Sequence, residues 1–481
     1  MNTSYTFVIF IALFLSLQLT ISGSDGRSKK RISETSRTEY LKSAAAACLP
    51  PSAWAELCIG GVRARINTGG DMWWDLANTA QYEVPKGSGR NGMYAGSLWI
   101  GGLDANNNLR LAAQMYRANG NDFWPGPLTD DGTFATDATV CSQYDNIQVL
   151  YRQDVVDFLT WWANPSQYPN YTIPAYFFTY PAHGNPALNQ SYYLAPFYDN
   201  NHDGNYNPYD GDYPYYDIYN RLCGTRLPTA EALEGGNLAD QVLKGDQTLW
   251  WVFNDKGNIH TESQGKALGI EVRAQAFAFA TNDEINQATF YTYEIINRST
   301  TTLYETHVGL FADPDNGSPY DNYVGCDVPR GLGYCYNGDD YDENSEGGYG
   351  YGDRPAAIGV DFLQGPYLDP DGIDNSAFIQ VTDTGGNSWF ENCNESVNGV
   401  NFGNGIIDDE RFGMNHFVDF CCTGVFAWYA TSPDIAEEYY NFMTGFWKDN
   451  THMIYGGYGH PSSGGYGPAC NFMFPGESDI C

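Results

Sequence analysis

Gly269–Thr281 reads GIEVRAQAFAFAT, and its alternation decides the fold. Ile270, Val272, Ala274, Ala276 and Ala278 share one face of an extended chain, because successive strand side chains point to opposite sides. The stretches on either side carry the same kind of signal: Thr248–Phe253 (TLWWVF) before it and Ala288–Asn297 (ATFYTYEIIN) after it. Farther out, Val62–Ile66 (VRARI), Met93–Ile100 (MYAGSLWI) and Arg110–Tyr116 (RLAAQMY) are predicted strands, with Gly69-Gly70 and Gly101-Gly102 as breaks. Helical signals fall in two places. Gln153–Trp162 (QDVVDFLTWW) has helical spacing and stops before Pro165, and Ser432-Pro433-Asp434 caps a second predicted helix that runs to Trp447.

Composition points the same way. The 37 Tyr, 26 Phe, 12 Trp and 53 Gly, against 8 Met, favour twisted strands and tight turns over helical bundles. The predicted class is all-β: a β-sandwich or jelly-roll-like fold with long calcium-binding loops and a few short helices. The 58 acidic residues outnumber the 24 basic ones, for a net charge of -34. Such a chain does not suit nucleic acid, whose phosphates require Lys and Arg; divalent cations are the better-matched partner.

Residues 1–24 carry no charged side chain, and their apolar run Phe7–Leu19 is shorter than the ~20 residues that span a bilayer. The run is read as a signal peptide cleaved near Thr20, Ser22 or Ser24, although Arg27, Lys29, Lys30 and Arg31 follow it, against the usual charge order. No other stretch is a membrane-span candidate. Residues 25–47 are read as a linker. Two β-rich parts follow, 48–227 and 228–481, with Pro228–Asp246 as a boundary or a long surface excursion; a single continuous domain is the alternative. The eleven Cys show no CxxC spacing, and export implies disulfides. Cys326 with Cys335 and Cys48 with Cys58 are the expected pairs. Adjacent Cys421 and Cys422 face opposite ways if extended.

The chemistry concentrates in Asp199–Asp210 (DNNHDGNYNPYD). A calcium loop supplies oxygens from positions 1, 3, 5, 7, 9 and 12 and turns sharply at a Gly in position 6. Those positions hold Asp199, Asn201, Asp203, the carbonyl of Asn205, Asn207 and Asp210, with Gly204 at the turn. Asp at the last position, in place of Glu, resembles the loops of dockerin modules. Pro214 and the aromatic run after Gly211 oppose an exit helix, so the loop reads as a structural clip between extended segments. The competing reading is an Asx-rich turn that binds nothing.

A weaker ligand set is Asp313, Asp315, Asp321 and Asp327, with Asn322 among them; Asn337, Asp339, Asp340, Asp342 and Glu343 either join it or stay exposed. Asp369, Asp371 and Asp374 (DPDGIDN) read as a tight turn first and a ligand set second. Asn404, Gly405, Asp408 and Asp409 resemble half of a dockerin loop, but Phe402 and Arg411 occupy ligand places, and no metal is expected there.

No catalytic motif is present, and the seven His have no ligand spacing. Glycoside hydrolysis needs only two carboxylates ~5 to 10 Å apart. Glu271, Glu294 and Glu305 lie on or beside strands where a cleft acid could sit, although outward-facing positions suit them as well. The pairs Trp73-Trp74, Trp161-Trp162 and Trp250-Trp251 place one indole on each face of an extended segment, either core plus sugar platform or both buried.

Longer phrases carry a resemblance: GGDMWWDL (69–76), YEVPKG, AGSLWIGGLD, DFWPGPL, LAPFYDNNHDGNYNPYDGDYP, GDQTLWWVFND, VGCDVPRGLGYCYNGDD, FGNGIIDDERFGM and FWKDNTHMIYGGYGH. In these the chain resembles the N-terminal region of large secreted Bacteroidetes proteins exported by the type IX secretion system. The resemblance covers most of the chain from residue 62 onward. It implies a secreted or cell-surface protein on the outer-membrane exterior, with adhesion or surface attachment as its role. Such proteins end in a C-terminal sorting domain that engages the export machinery. This sequence stops at Cys481 without one, so it is expected to be a fragment of a longer protein. The expected function is a non-catalytic, calcium-stabilised binding or adhesion module for carbohydrate or another surface ligand. The alternatives are a secreted polysaccharide-degrading enzyme and a structural spacer.

Overall fold

The computed structural model describes residues 47–216, 219–220, 225–226, 243–345, 348–382, 388–392, 396–420 and 428–476. The signal peptide and all but the last residue of the linker lie outside the described residues, as do residues 228–242 of the boundary stretch and Cys421 and Cys422. Among the described residues no helix is long and apolar enough to cross a membrane.

Two antiparallel sheets form the body. The first contains β1 (Trp54–Leu57), β2 (Arg63–Asn67), β3 (Asp71–Met72), β4 (Tyr82–Glu83), β5 (Asn91–Met93), β6 (Ala95–Leu103), β7 (Leu109–Ala112) and β17 (Tyr304–Asp313). Its order is β17-β6-β3-β2-β4-β5, with β1 on β2 and β7 on β6. The second contains β8 (Trp124–Pro125), β9 (Gln148–Tyr151), β14 (Gln247–Asn254), β15 (Ile270–Ala278) and β16 (Thr289–Asn297), ordered β16-β15-β14-β8 with β9 also on β14. Strands from before and after residue 228 pair in both sheets, so one sandwich contains the two β-rich stretches. Smaller ladders join β10 (Phe197–Tyr198) to β11 (Tyr213–Pro214), β12 (Tyr219–Asn220) to β13 (Thr225–Arg226), β18 (Asn322–Asp327) through β19 (Leu332–Asn337) to β20 (Ala357–Asp361), and β21 (Phe378–Thr382) to β22 (Ser388–Asn392).

The alternation that opened the sequence reading has its counterpart in the packing. Ile270, Val272, Ala274, Ala276 and Ala278 all enter the main core, which both sheets share. Small Ala residues leave room there for larger neighbours across the layer. Trp73 fills the gap between the sheets and donates its Nε1 hydrogen to the Tyr291 hydroxyl on β16 at 2.8 Å. A Cβ at Gly96 would lie 2.3 Å from the Trp73 ring, so this strand position requires glycine.

The outer face of the second sheet is covered too. Helix α1 (Ala138–Tyr144), helix α2 (Arg152–Ala163) and the chain up to Tyr215 build a second core over Trp250 and Val252. β14 is therefore buried along its whole length, as a strand covered on both faces must be. Trp251 faces the main core and Trp250 the second one, so this pair has no platform indole. Trp73 and Trp74 are buried as well, while Trp161 and Trp162 lie half-buried on α2, not on an extended segment.

Two expectations are corrected. The helix expected from Ser432 to Trp447 is shorter: α3 spans Ala436–Met443 with Ile435 at its cap, and Asp434 pairs with Lys448 at 3.3 Å. The expected cysteine pairs do not form. Cys48 bonds Cys141 on α1, with Cα atoms 5.7 Å apart and a separation of 93 positions in sequence, and Cys470 is disulfide-bonded too. Cys58, Cys326 and Cys335 are free thiols. The register of β18 and β19 explains the last two, since it faces Cys326 with Gly333 and Cys335 with Val324.

Candidate cation-binding loop

Asp199–Asp210 connects β10 to β11, whose ladder pairs Tyr198 with Tyr213 and Phe197 with Pro214. No exit helix follows; a single turn of 3₁₀ helix at Pro208–Asp210 leads into β11. The hairpin is part of the cover over the second sheet, because Phe197, Tyr213 and Tyr215 belong to the second core.

Within the loop, acceptors turn the backbone back on itself. Asp199 Oδ2 accepts from Gly204 N at 2.8 Å, Asn201 Oδ1 from Asp203 N at 3.0 Å, and Asp203 Oδ1 from Asn205 N at 2.7 Å. Asn207 Oδ1 accepts from Tyr209 N at 3.1 Å, and its amide donates to Asp210 Oδ2 at 2.6 Å. Gly204 sits at φ 82°, and a Cβ there would lie 2.9 Å from the Tyr193 hydroxyl. His202, at φ 61°, takes the same left-handed region, which a short loop wrapping inward requires.

Residues beyond the predicted ligands hold the loop in place. Asp212, fully buried, accepts from Asn200 N and Asn207 N, both at 2.8 Å, and so joins the two ends of the loop. Burial pushes its carboxyl up to about 6, although both N–H donors oppose the shift and the charges of Asp199 and Asp203 add to it. Asp203 is held below the usual carboxylate range, chiefly by the Asn205 N–H. His183 Nε2 accepts from Tyr206 N at 2.8 Å, and the Tyr192 hydroxyl donates to Asn205 Oδ1. Sequence reasoning missed Asp212; the signal was an acid two places past the last ligand, in a run of Tyr and Pro.

The donor set is all oxygen: three carboxylates, two side-chain amides and one carbonyl, with no Lys or Arg in the loop. That chemistry fits a hard cation of the Ca2+ class. As folded, these oxygens hold loop N–H and amide groups, and among the described residues no three acidic, His or Cys side chains meet at metal-ligand spacing.

In the weaker acidic set, a strand keeps Asp327 apart from Asp321. Asp313 ends β17 and accepts from the Tyr116 hydroxyl at 2.7 Å. Burial drives the Asp315 carboxyl up to about 7. Asp321 precedes β18 and Asp327 ends it, six residues of strand later, about 20 Å at the usual rise per residue. Asp327 instead caps the turn at Val328–Arg330 and pairs with Arg330. Asp321 and Asp327 are therefore too far apart to hold one ion between them. Asp342 accepts from Ser318 N and Tyr351 N at 3.1 and 2.7 Å.

Among the strand acids, Glu271 does not face outward. It is fully buried, and its oxygens accept from Arg273 Nε (2.9 Å), Arg298 Nε (3.1 Å), Arg298 Nη2 (2.9 Å) and Leu128 N (3.0 Å). Burial raises its pKa, and the two guanidinium groups more than reverse this. Glu294 reaches the same Arg273 at 3.9 Å, and Glu305 is exposed. Asp371, Asp374, Asn404, Asp408 and Asp409, from two loops far apart in sequence, do meet: Asp371 N and Gly372 N donate to Asp408 Oδ1, both at 2.9 Å, and Gly405 N to Asp374 Oδ2 at 2.7 Å. No protein-family model, curated protein or solved structure matches this chain.

Proposed function

We propose that the protein is a non-catalytic module of an exported surface protein, which binds carbohydrate or another surface ligand and is stabilised by Ca2+ in the loop Asp199–Asp210. The observation that carries this reading is the complete oxygen donor set on a hairpin that helps cover the second sheet. Asp199, Asn201, Asp203, Asn207 and Asp210 would hold the ion through side chains and Asn205 through its carbonyl. A bound ion supplies positive charge against three carboxylates, and the chain's own part is to hold the hairpin closed through Asp212. Beside the loop, Tyr209 is 71 % exposed and its ring lies 5.0 Å from that of exposed Phe178. Paired exposed rings suit stacking on a sugar face.

Hydrolysis needs an acid pair open to substrate. Glu271 is buried and held by two arginines, which suits a structural carboxylate better than a hydrolytic acid. The test is a glycan array and a polysaccharide-hydrolysis screen on the full chain, with and without chelator. Binding without turnover, lost on chelation, supports the reading; turnover overturns it.

A further inference from the structure

We propose a second site for a hard divalent cation, of the Ca2+ class, where residues 369–375 cross residues 401–410. The sequence argues against metal here, because Phe402 and Arg411 spoil the spacing of a single loop. The fold assembles the site from two loops instead. Asn375 N donates to Glu410 Oε1 at 2.5 Å, and Asn404 Nδ2 to Asp409 Oδ2 at 3.0 Å; with the Asp408 and Asp374 bonds above, they interlock the segments.

Four oxygens at this crossing are buried and accept no hydrogen bond: Asp374 Oδ1, Asn375 Oδ1, Asp409 Oδ1 and Glu410 Oε2. Asp409 is 4 % exposed and Glu410 1 %, so neither acid reaches bulk water as a surface side chain does. All four atoms are acceptors, and an ionised carboxylate has no proton to offer another acceptor. The group that satisfies them together carries positive charge or several donors. Arg411, the adjacent cation in sequence, is turned away: its guanidinium lies 3.7 Å from the centre of the Tyr367 ring and donates to the Gly365 carbonyl at 3.0 Å. Asp371 and Asp408 add further negative charge at the rim.

Oxygen-only donors exclude the nitrogen and sulfur preference of zinc. Irregular donors from two loops suit Ca2+, which accepts six to eight oxygens in flexible geometry, better than Mg2+, which demands a near-ideal octahedron. No three acids among the described residues here stand at metal-ligand spacing, so an ion entering between the loops would have to draw them together. The site is independent of Asp199–Asp210.

The experiment counts Ca2+ bound to the full chain by equilibrium dialysis and native mass spectrometry. Glu410→Gln and, as a half-buried variant that spares the deepest acids, Asp374→Asn are compared with wild type after circular dichroism confirms folding. Each is expected to lose one ion or weaken one site at least tenfold, while Asp203→Asn affects a different ion. Unchanged stoichiometry and affinity in both variants overturns the second site, as does a crossing filled by water alone, seen as no effect of chelation on amide exchange at residues 371, 372, 375 and 405. If Asp203→Asn changes nothing while Glu410→Gln removes an ion, the reading of Asp199–Asp210 fails and this one stands.

Discussion

In the strands of the sandwich and the loops that join them, four buried acids are met by protein donors. Asp255 accepts from Leu268, Gly269 and Ile270 N–H, Asp122 from Ala113, Glu262 and Ser263, Glu262 from Asn119 and Gly120, and Glu271 from Arg273 and Arg298. At the crossing of 369–375 and 401–410, Asp409 and Glu410 lie as deep, yet each leaves one oxygen without a donor. A buried carboxylate costs several kcal/mol unless it is paired and hydrogen-bonded, roughly in proportion to what is left unmet. The sandwich meets that cost from its own sequence, and the loops leave it to something from outside. Calcium dependence is therefore expected in the loops and not in the sheets.

The largest effect comes from a constraint independent of ions. Replacing Cys48 and Cys141 by Ser opens a link across 93 positions and is expected to lower stability by about 4 to 5 kcal/mol on the chain-entropy account. Urea titration should show that loss equally with calcium and with chelator; a loss that appears only with chelator would break the comparison. Next, Glu271→Ala leaves Arg273 and Arg298 buried beside an empty place. It should cost about 3 to 5 kcal/mol, again without regard to calcium.

Chelation of the intact chain should remove about 2.7 to 4.1 kcal/mol per site if the ion had stood at 100 to 1,000 times its dissociation constant. Thermal unfolding with EGTA against excess calcium measures it, and Asp203→Asn should shrink the difference. A pH effect is the smallest. Burial, then the neighbouring His307 and His452, hold His416 down to about 4. A histidine whose pKa is lowered on folding contributes stability above its unfolded value near 6.5 and loses it as pH falls through the folded value. Stability should thus fall from pH 6.5 to 4 by roughly 1 to 3 kcal/mol more in wild type than in His416→Gln. Equal slopes would show that the other titrating groups carry the whole pH dependence.

The sheets were legible because strand alternation is local. Ile270 to Ala278 state their face in nine residues, and Thr248–Phe253 reads as a strand from its aromatic and aliphatic run, although its burial on both faces did not show. The clip between extended segments was legible too, since Pro214 and the Tyr run forbid an exit helix. What was not legible depends on register or on distance in the chain. Cys326 and Cys335 are close in sequence, but two rungs of the ladder decide that they do not face each other. Cys141 lies 93 positions from its partner and nothing near Cys48 points to it. Asp212 was hidden because its role is to receive N–H groups on both arms of the loop, not to fill a ligand position. The crossing was read as a tight turn at 369–374 and, separately, as half of a dockerin-like loop at 404–409, because its oxygens belong together only after two segments some thirty residues apart have folded over each other.

Amide hydrogen exchange on the full chain, with calcium and with EGTA, tests the division between closed sheets and open loops most directly. The account predicts faster exchange on chelation at residues 199–212, 369–375 and 401–410, with the amides of β14 and β15 unchanged. Equal exchange in the loops under both conditions, or a loss of protection spread evenly through β14 and β15, would contradict it.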